Sequence, residues 1–200
     1  MKKISLLLCS TLLFGCNSKG QTQQDVVKKS DKFYTEKLID SDFLKYAETS
    51  KVDSLKAEIR DSFYIYNDDT FKIAHIDAEE LAEFSFDFFL PNLNKILEKR
   101  KVRLTAAKLN TDDNSFEVTI NQDIIQLYKQ EELKDYSFWD TAPRNFFKQV
   151  NKILKAKNID EQFYLLYGGN DLHVLLLTEN QFSIISEYFK DNKKEKPYKP

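Results

Sequence analysis

Phe163-Tyr164-Leu165-Leu166-Tyr167-Gly168-Gly169-Asn170-Asp171-Leu172-His173-Val174-Leu175-Leu176-Leu177 decides the fold class. Two runs of aromatic and aliphatic residues flank Gly168-Gly169-Asn170-Asp171, residue types that reach left-handed backbone angles at little cost. The segment reads as a β-hairpin over 162–177. Val174-Leu175-Leu176-Leu177 is apolar at every position, which suits a central strand. Thr178 and Gln181 follow at the spacing of a capping box: the threonine oxygen takes a free amide and the glutamine reaches back. Phe182, Ile185 and Phe189 then mark one helical face.

Working outward, the same order recurs. Phe63-Tyr64-Ile65-Tyr66, the turn Asn67-Asp68-Asp69, and Phe71-Lys72-Ile73-Ala74-His75-Ile76 repeat strand, turn and strand. Asp77 and Glu80 have capping-box spacing, and Leu81, Phe84 and Phe88 share the next helical face. A third copy has strands at 102–109 and 116–120 around Asn110-Thr111-Asp112-Asp113-Asn114. In it, Asn121 is expected to cap a helix through Ile124, Ile125 and Tyr128. Asn94-Lys95-Ile96-Leu97 and Asn151-Lys152-Ile153-Leu154 precede the last two hairpins, with Phe88-Phe89 and Phe146-Phe147 upstream. The expectation is an α+β fold of three helix–hairpin–helix repeats, with hairpins near 62–76, 102–120 and 162–177. These would form an antiparallel sheet of about six strands, covered by amphipathic helices, with one face free to stay open.

The chain opens with Lys2 and Lys3, then an apolar run over 4–14, the order of a secretory signal. That run is about half the ~20 residues that a spanning helix needs. Leu13-Phe14-Gly15-Cys16 resembles a lipobox, the cleavage site of bacterial lipoprotein signals. The resemblance implies removal of residues 1–15, lipidation of Cys16 and acylation of the new amino terminus. Asn17 after the cysteine, by likeness to enterobacterial sorting, implies the periplasmic face of the outer membrane. The expected organisation is a signal over 1–15, a lipidated cysteine and polar tether over 16–30, an α+β domain over 31–189 and a frayed basic tail over 190–200.

Composition narrows the chemistry. The two cysteines are Cys9 and Cys16, so cleavage and lipidation would leave no thiol, which excludes disulfide, thiolate and cysteine-nucleophile chemistry. Without the signal, 28 basic and 32 acidic residues remain, a net charge near −4, which argues against nucleic acid as a partner. Glycine-rich phosphate loops have no raw material with four glycines in the chain. The two histidines, His75 and His173, fall at non-matching places in the repeat and read as unrelated strand residues. No metal-ligand spacing or cofactor motif is present in the sequence.

The segment Tyr136-Ser137-Phe138-Trp139-Asp140-Thr141-Ala142-Pro143-Arg144 holds the only tryptophan, placed in a linker between helices. Tyr, Trp and Arg are the residue types most enriched at binding hot spots. Tyr136, Phe138, Trp139 and Arg144 are therefore candidate partner contacts. A structural role is the alternative: Asp140 or Thr141 caps the next helix, Pro143 sits in its first turn, and Trp139 closes the core edge. The stretch from Gly168 to Leu177 and the hairpin order loosely resemble an uncharacterised bacterial family of the YtpQ type, a likeness that implies no mechanism. The expected function is a membrane-anchored, non-catalytic envelope lipoprotein that binds a protein partner, as an accessory subunit or an immunity-type protein. An envelope hydrolase using a carboxylate pair, and a purely structural envelope component, are the alternatives.

Overall fold

The computed structural model describes residues 31–109 and 116–200. The expected signal, Cys16, the expected tether and the expected turn at 110–114 lie outside the described residues. In chain order the elements are α1 over 31–40, α2 Val52–Ser62, β1 Ile73–His75, α3 Ala78–Ala82, α4 Phe86–Glu98, β2 Ala106–Lys108, β3 Glu117–Ile120, β4 Asp123–Gln126, α5 Phe138–Ala156, β5 Glu161–Leu166, β6 His173–Thr178 and α6 Glu179–Tyr188. The fold is α+β. Its strands make two three-stranded antiparallel sheets, ordered β1-β6-β5 and β2-β3-β4, and not one sheet of six.

The hairpin β5–β6 forms in the expected register, with Phe163 opposite Leu176 and Leu166 opposite His173. Thr178 accepts from the Gln181 amide and Gln181 returns to Thr178, so the capping box starts α6. β6 is central, as its all-apolar text implies. Because side chains alternate across a strand, Phe163, Leu165, Val174 and Leu176 enter one core, with residues of α3, α4, α5 and the second sheet. Tyr164, Leu166, Leu175 and Leu177 enter another, with residues of α2 and α6 and Leu38 of α1. Both faces of this sheet are covered. That corrects the open-face expectation and explains why β6 carries no polar alternation.

The first expected hairpin does not form. Phe63 ends α2 in the left-handed region at φ 51°, and 63–67 runs on without a ladder. Asn67 accepts from the Asp69 amide and starts a 3-10 turn that ends in left-handed Phe71 at φ 54°. That turn sends β1 to the open edge of β6, with Ile73 opposite Leu175 and His75 opposite His173. The middle copy also differs. Asn121, at φ 56°, opens a two-residue hairpin loop in place of a helix cap, and β4 occupies 123–126. Its side chain accepts from the Thr105 amide at 2.9 Å, and its own amide donates to the Thr105 carbonyl at 2.9 Å. Ile124 is exposed and Ile125 packs on the core, a period of two that β-branched neighbours support.

One part of the repeated text has repeated geometry. Asn94 of α4 donates to the Leu104 carbonyl and accepts from its amide, at 2.9 and 2.8 Å. Asn151 of α5 does the same to Phe163, at 2.9 and 2.7 Å. Each asparagine amide thus stands in for a neighbouring strand. On β5 the C-terminal segment completes the edge: Tyr198 and Leu165 exchange both backbone hydrogen bonds at 2.8 Å. The expected fraying of 190–200 is corrected here, since an unpaired strand edge offers that segment a template. No helix among the described residues is long and apolar enough to cross a membrane.

Candidate functional site

Helix α5 begins at Phe138, earlier than a start capped by Asp140 or Thr141. Tyr136, Phe138 and Trp139 therefore belong to a turn and the first helical residues, while Pro143 falls in the second turn. Proline lacks an amide, so the Trp139 carbonyl loses its usual i+4 donor. The entry is pinned on all sides. Lys129 donates its amide to Glu132 at 2.7 Å, the Glu132 carboxylate also accepts from the Thr141 hydroxyl, and the Asn145 amide donates to the Leu127 carbonyl at 3.0 Å. Asp135 accepts from the Ser137 amide, and hydrogen bonding from Ser137 holds its carboxyl below the usual range. Tyr136 takes φ 61° to make the corner.

This pinning displays two rings and buries a third. Tyr136 is 63% exposed and Trp139 39%, with ring centroids 5.5 Å apart, and Leu133, earlier in the same stretch of chain, is 38% exposed. Phe138 packs inward against Tyr128, whose hydroxyl reaches the Ala82 carbonyl at 3.0 Å. Burial pushes the Tyr128 phenol up to about 12. Of the four residue candidates, Tyr136 and Trp139 form the surface and Phe138 supports it. Arg144 serves elsewhere: it pairs with Asp140 at 2.7 Å, donates to the Lys199 carbonyl at 3.1 Å and lies over the Tyr198 ring. Glu131, Lys134, Asp135 and Asp140 are exposed in the same stretch, and Asp140 is neutralised by its pairing with Arg144.

A second cluster escaped the sequence reading. Glu161, at the start of β5, accepts from Arg100 Nε at 2.6 Å and Nη2 at 2.8 Å, and from Lys72 Nζ. All three side chains are buried. Lys72 also reaches Gln181 at 3.2 Å, Gln181 donates to the Ser41 carbonyl, and Arg100 stacks on Tyr46. Burial opposes ionisation of Glu161, but the Arg100 hydrogen bonds and the Lys72 charge outweigh it and hold the carboxyl below its usual range. Burial pushes Lys72 down. The glutamate's acceptor positions are occupied by two cations, so it ties α4, β5 and the approach to β1 together.

The structure also corrects the histidines. His75 and His173 are opposed on β1 and β6, with ring centroids 4.8 Å apart. His75 Nε2 lies 2.8 Å from the Asn170 carbonyl and His173 Nδ1 2.7 Å from the Asp171 carbonyl. Tyr167, Gly168, Asp171, Glu195, Tyr198 and lysines of the C-terminal segment line a cavity beside His173. Antiparallel pairing reverses one strand, so a match made by aligning the two strands in the same direction hides such a pair. No family model, no curated protein and no solved structure matches the chain.

Proposed function

We propose that this chain is a lipid-anchored protein of the bacterial cell envelope that acts without catalysis, by binding a protein partner on Tyr136 and Trp139. Lipid on Cys16 would hold it to the membrane, with the periplasmic face of the outer membrane favoured by Asn17. The supporting observation is the exposure of Tyr136 and Trp139 together on a turn whose backbone is pinned by Glu132, Asp135 and Asn145. Rigid aromatic side chains gain contact area at small cost in conformational entropy. An exposed aromatic pair suits a partner face with an apolar notch.

The test places a photo-crosslinking residue at position 136 or 139 in cells, with exposed Tyr64 as the control position. A discrete adduct at 136 and at 139, absent at 64, with the adduct at 136 lost in a Trp139→Ala background, is the expected result. As the only tryptophan, Trp139 should also shift its fluorescence to the blue on complex formation. Cys16→Ser should leave an unprocessed precursor without acyl label, and label on that variant refutes the anchor. Peptidoglycan or ester hydrolysis by the purified protein, abolished by one carboxylate substitution, refutes the non-catalytic reading.

A further inference from the structure

We propose that His75 and His173 form a two-imidazole binding site for a divalent late transition metal, copper(II) most tightly. The inference stands on the pairing of β1 with β6 and is independent of the partner surface. Leu176 donates its amide to the Lys72 carbonyl, and Ile76 donates to the Leu172 carbonyl. The alternation of an antiparallel ladder then makes His75 and His173 a non-hydrogen-bonded pair, the kind in which facing side chains come closest. Two imidazoles bound to one ion at about 2.0–2.1 Å place their centroids roughly 4.5 Å apart at the right angle of a tetragonal copper(II) site and roughly 5 Å apart at a tetrahedral angle. The observed separation is 4.8 Å.

The backbone contacts select the tautomers. A backbone carbonyl only accepts, so in its neutral form, the form that binds metal, His75 carries its proton on Nε2 and His173 on Nδ1. His75 Nδ1 and His173 Nε2 are left with lone pairs. A ligating histidine characteristically donates its other N–H to a carbonyl or carboxylate, which fixes the ring and raises its basicity. Both rings have that support, from consecutive residues of the same turn. His75 is exposed, so an ion can reach the pair from solvent.

The surroundings select the metal class. Lys193, Lys194 and Lys196 line the cavity beside His173, against Asp171 and Glu195. A hard cation such as calcium or magnesium, held by charge and oxygen ligands, is disfavoured there. Nitrogen donors favour an ion bound by ligand-field strength, and the general order of affinity places copper(II) above nickel(II) and zinc(II). No group of three ligating side chains occurs among the described residues, so water completes the coordination shell.

The test uses the full chain, purified in detergent without any added histidine tag, titrated with copper(II), nickel(II) and zinc(II) chlorides. Calorimetry should give one site per chain, tightest for copper. The copper electron paramagnetic resonance spectrum should show coupling to two nitrogens. His173→Ala or His75→Ala should weaken copper at least tenfold and reduce the coupling to one nitrogen. His75→Phe keeps an aromatic ring against Phe88, so it should weaken copper as His75→Ala does with an unchanged circular dichroism spectrum. Equal copper affinity in the wild type and the His75→Phe/His173→Ala double variant overturns the proposal. So does one-nitrogen coupling in the wild type, and so does the absence of saturable binding.

Discussion

Replacing Asn151 by leucine tests whether an asparagine amide closes the outer edge of the main sheet. Leucine has the branched outline of asparagine and is larger, so it leaves no cavity, but it neither donates nor accepts. The variant removes the bonds of 2.9 and 2.7 Å to the Phe163 carbonyl and amide. Phe163 is fully buried and its other neighbour, Leu176, leaves those two groups unpaired. Water has poor access, so each group loses a partner without replacement, at about 1–3 kcal/mol per group. With the carbonyl's second lone pair relaxing part of this, the expected cost is about 3 kcal/mol. For a domain of this size that lowers the melting temperature by about 6–12 °C. Urea unfolding followed by circular dichroism measures it, and the midpoint should fall with the slope unchanged. Asn94→Leu, which breaks the same arrangement at Leu104, should cost a similar amount. A loss below about 0.5 kcal/mol in both variants, the range of an ordinary surface change, refutes the reasoning.

Glu161→Gln should destabilise by about 3–5 kcal/mol, because Lys72 and Arg100 lose their shared counter-charge in a buried site. Lys72→Met, which leaves the two-pronged Arg100–Glu161 pair intact, should cost far less; denaturant midpoints compare them. The Glu161 carboxyl is held below its unfolded value of about 4.3, so its contribution is complete above that pH and is lost as pH falls through the lower folded value. Acid titration of stability should therefore be steeper below about pH 4 in the wild type than in Glu161→Gln. Removing residues 197–200 exposes the amide and carbonyl of Leu165, and amide hydrogen exchange at Leu165 should rise sharply while β6 stays protected. Trp139→Ala should change stability by about 1 kcal/mol or less, given its exposure, while abolishing the crosslinked adduct; a large fall in melting temperature would make Trp139 a core residue.

Local text decided much of the fold. The hairpin at 161–178, its central apolar strand and the capping box at Thr178 depend on neighbours within a few residues, where turn chemistry and alternation suffice. Repetition of the Asn-Lys-Ile-Leu words was visible too, and marked two asparagines that do equivalent work. The aromatic text at 136–139 showed where rings would cluster. Which of them faces solvent was settled by Pro143 lying inside the helix and by Glu132 and Asn145 pinning its entry.

Other features rest on contacts between distant segments, which no local window contains. Phe63-Tyr64-Ile65-Tyr66 has strand text and no strand partner, because left-handed Phe63 and Phe71 turn the chain away and β6 offers β1 a better edge. Asn121 suits a helix cap and a tight turn equally; pairing of β4 with β3 chose the turn. The tail reads as frayed until the open edge of β5 is present to receive Tyr198. Glu161, Arg100 and Lys72 are ordinary surface residue types in the sequence, and only the packing of α4 against the sheet removes them from water together. The histidines meet for the same reason. Sequence determined the hairpin and the helix cap that follows it, because those are local; tertiary structure decided the sheet edges, the buried charges and the histidine pair, because each needs two segments far apart in the chain.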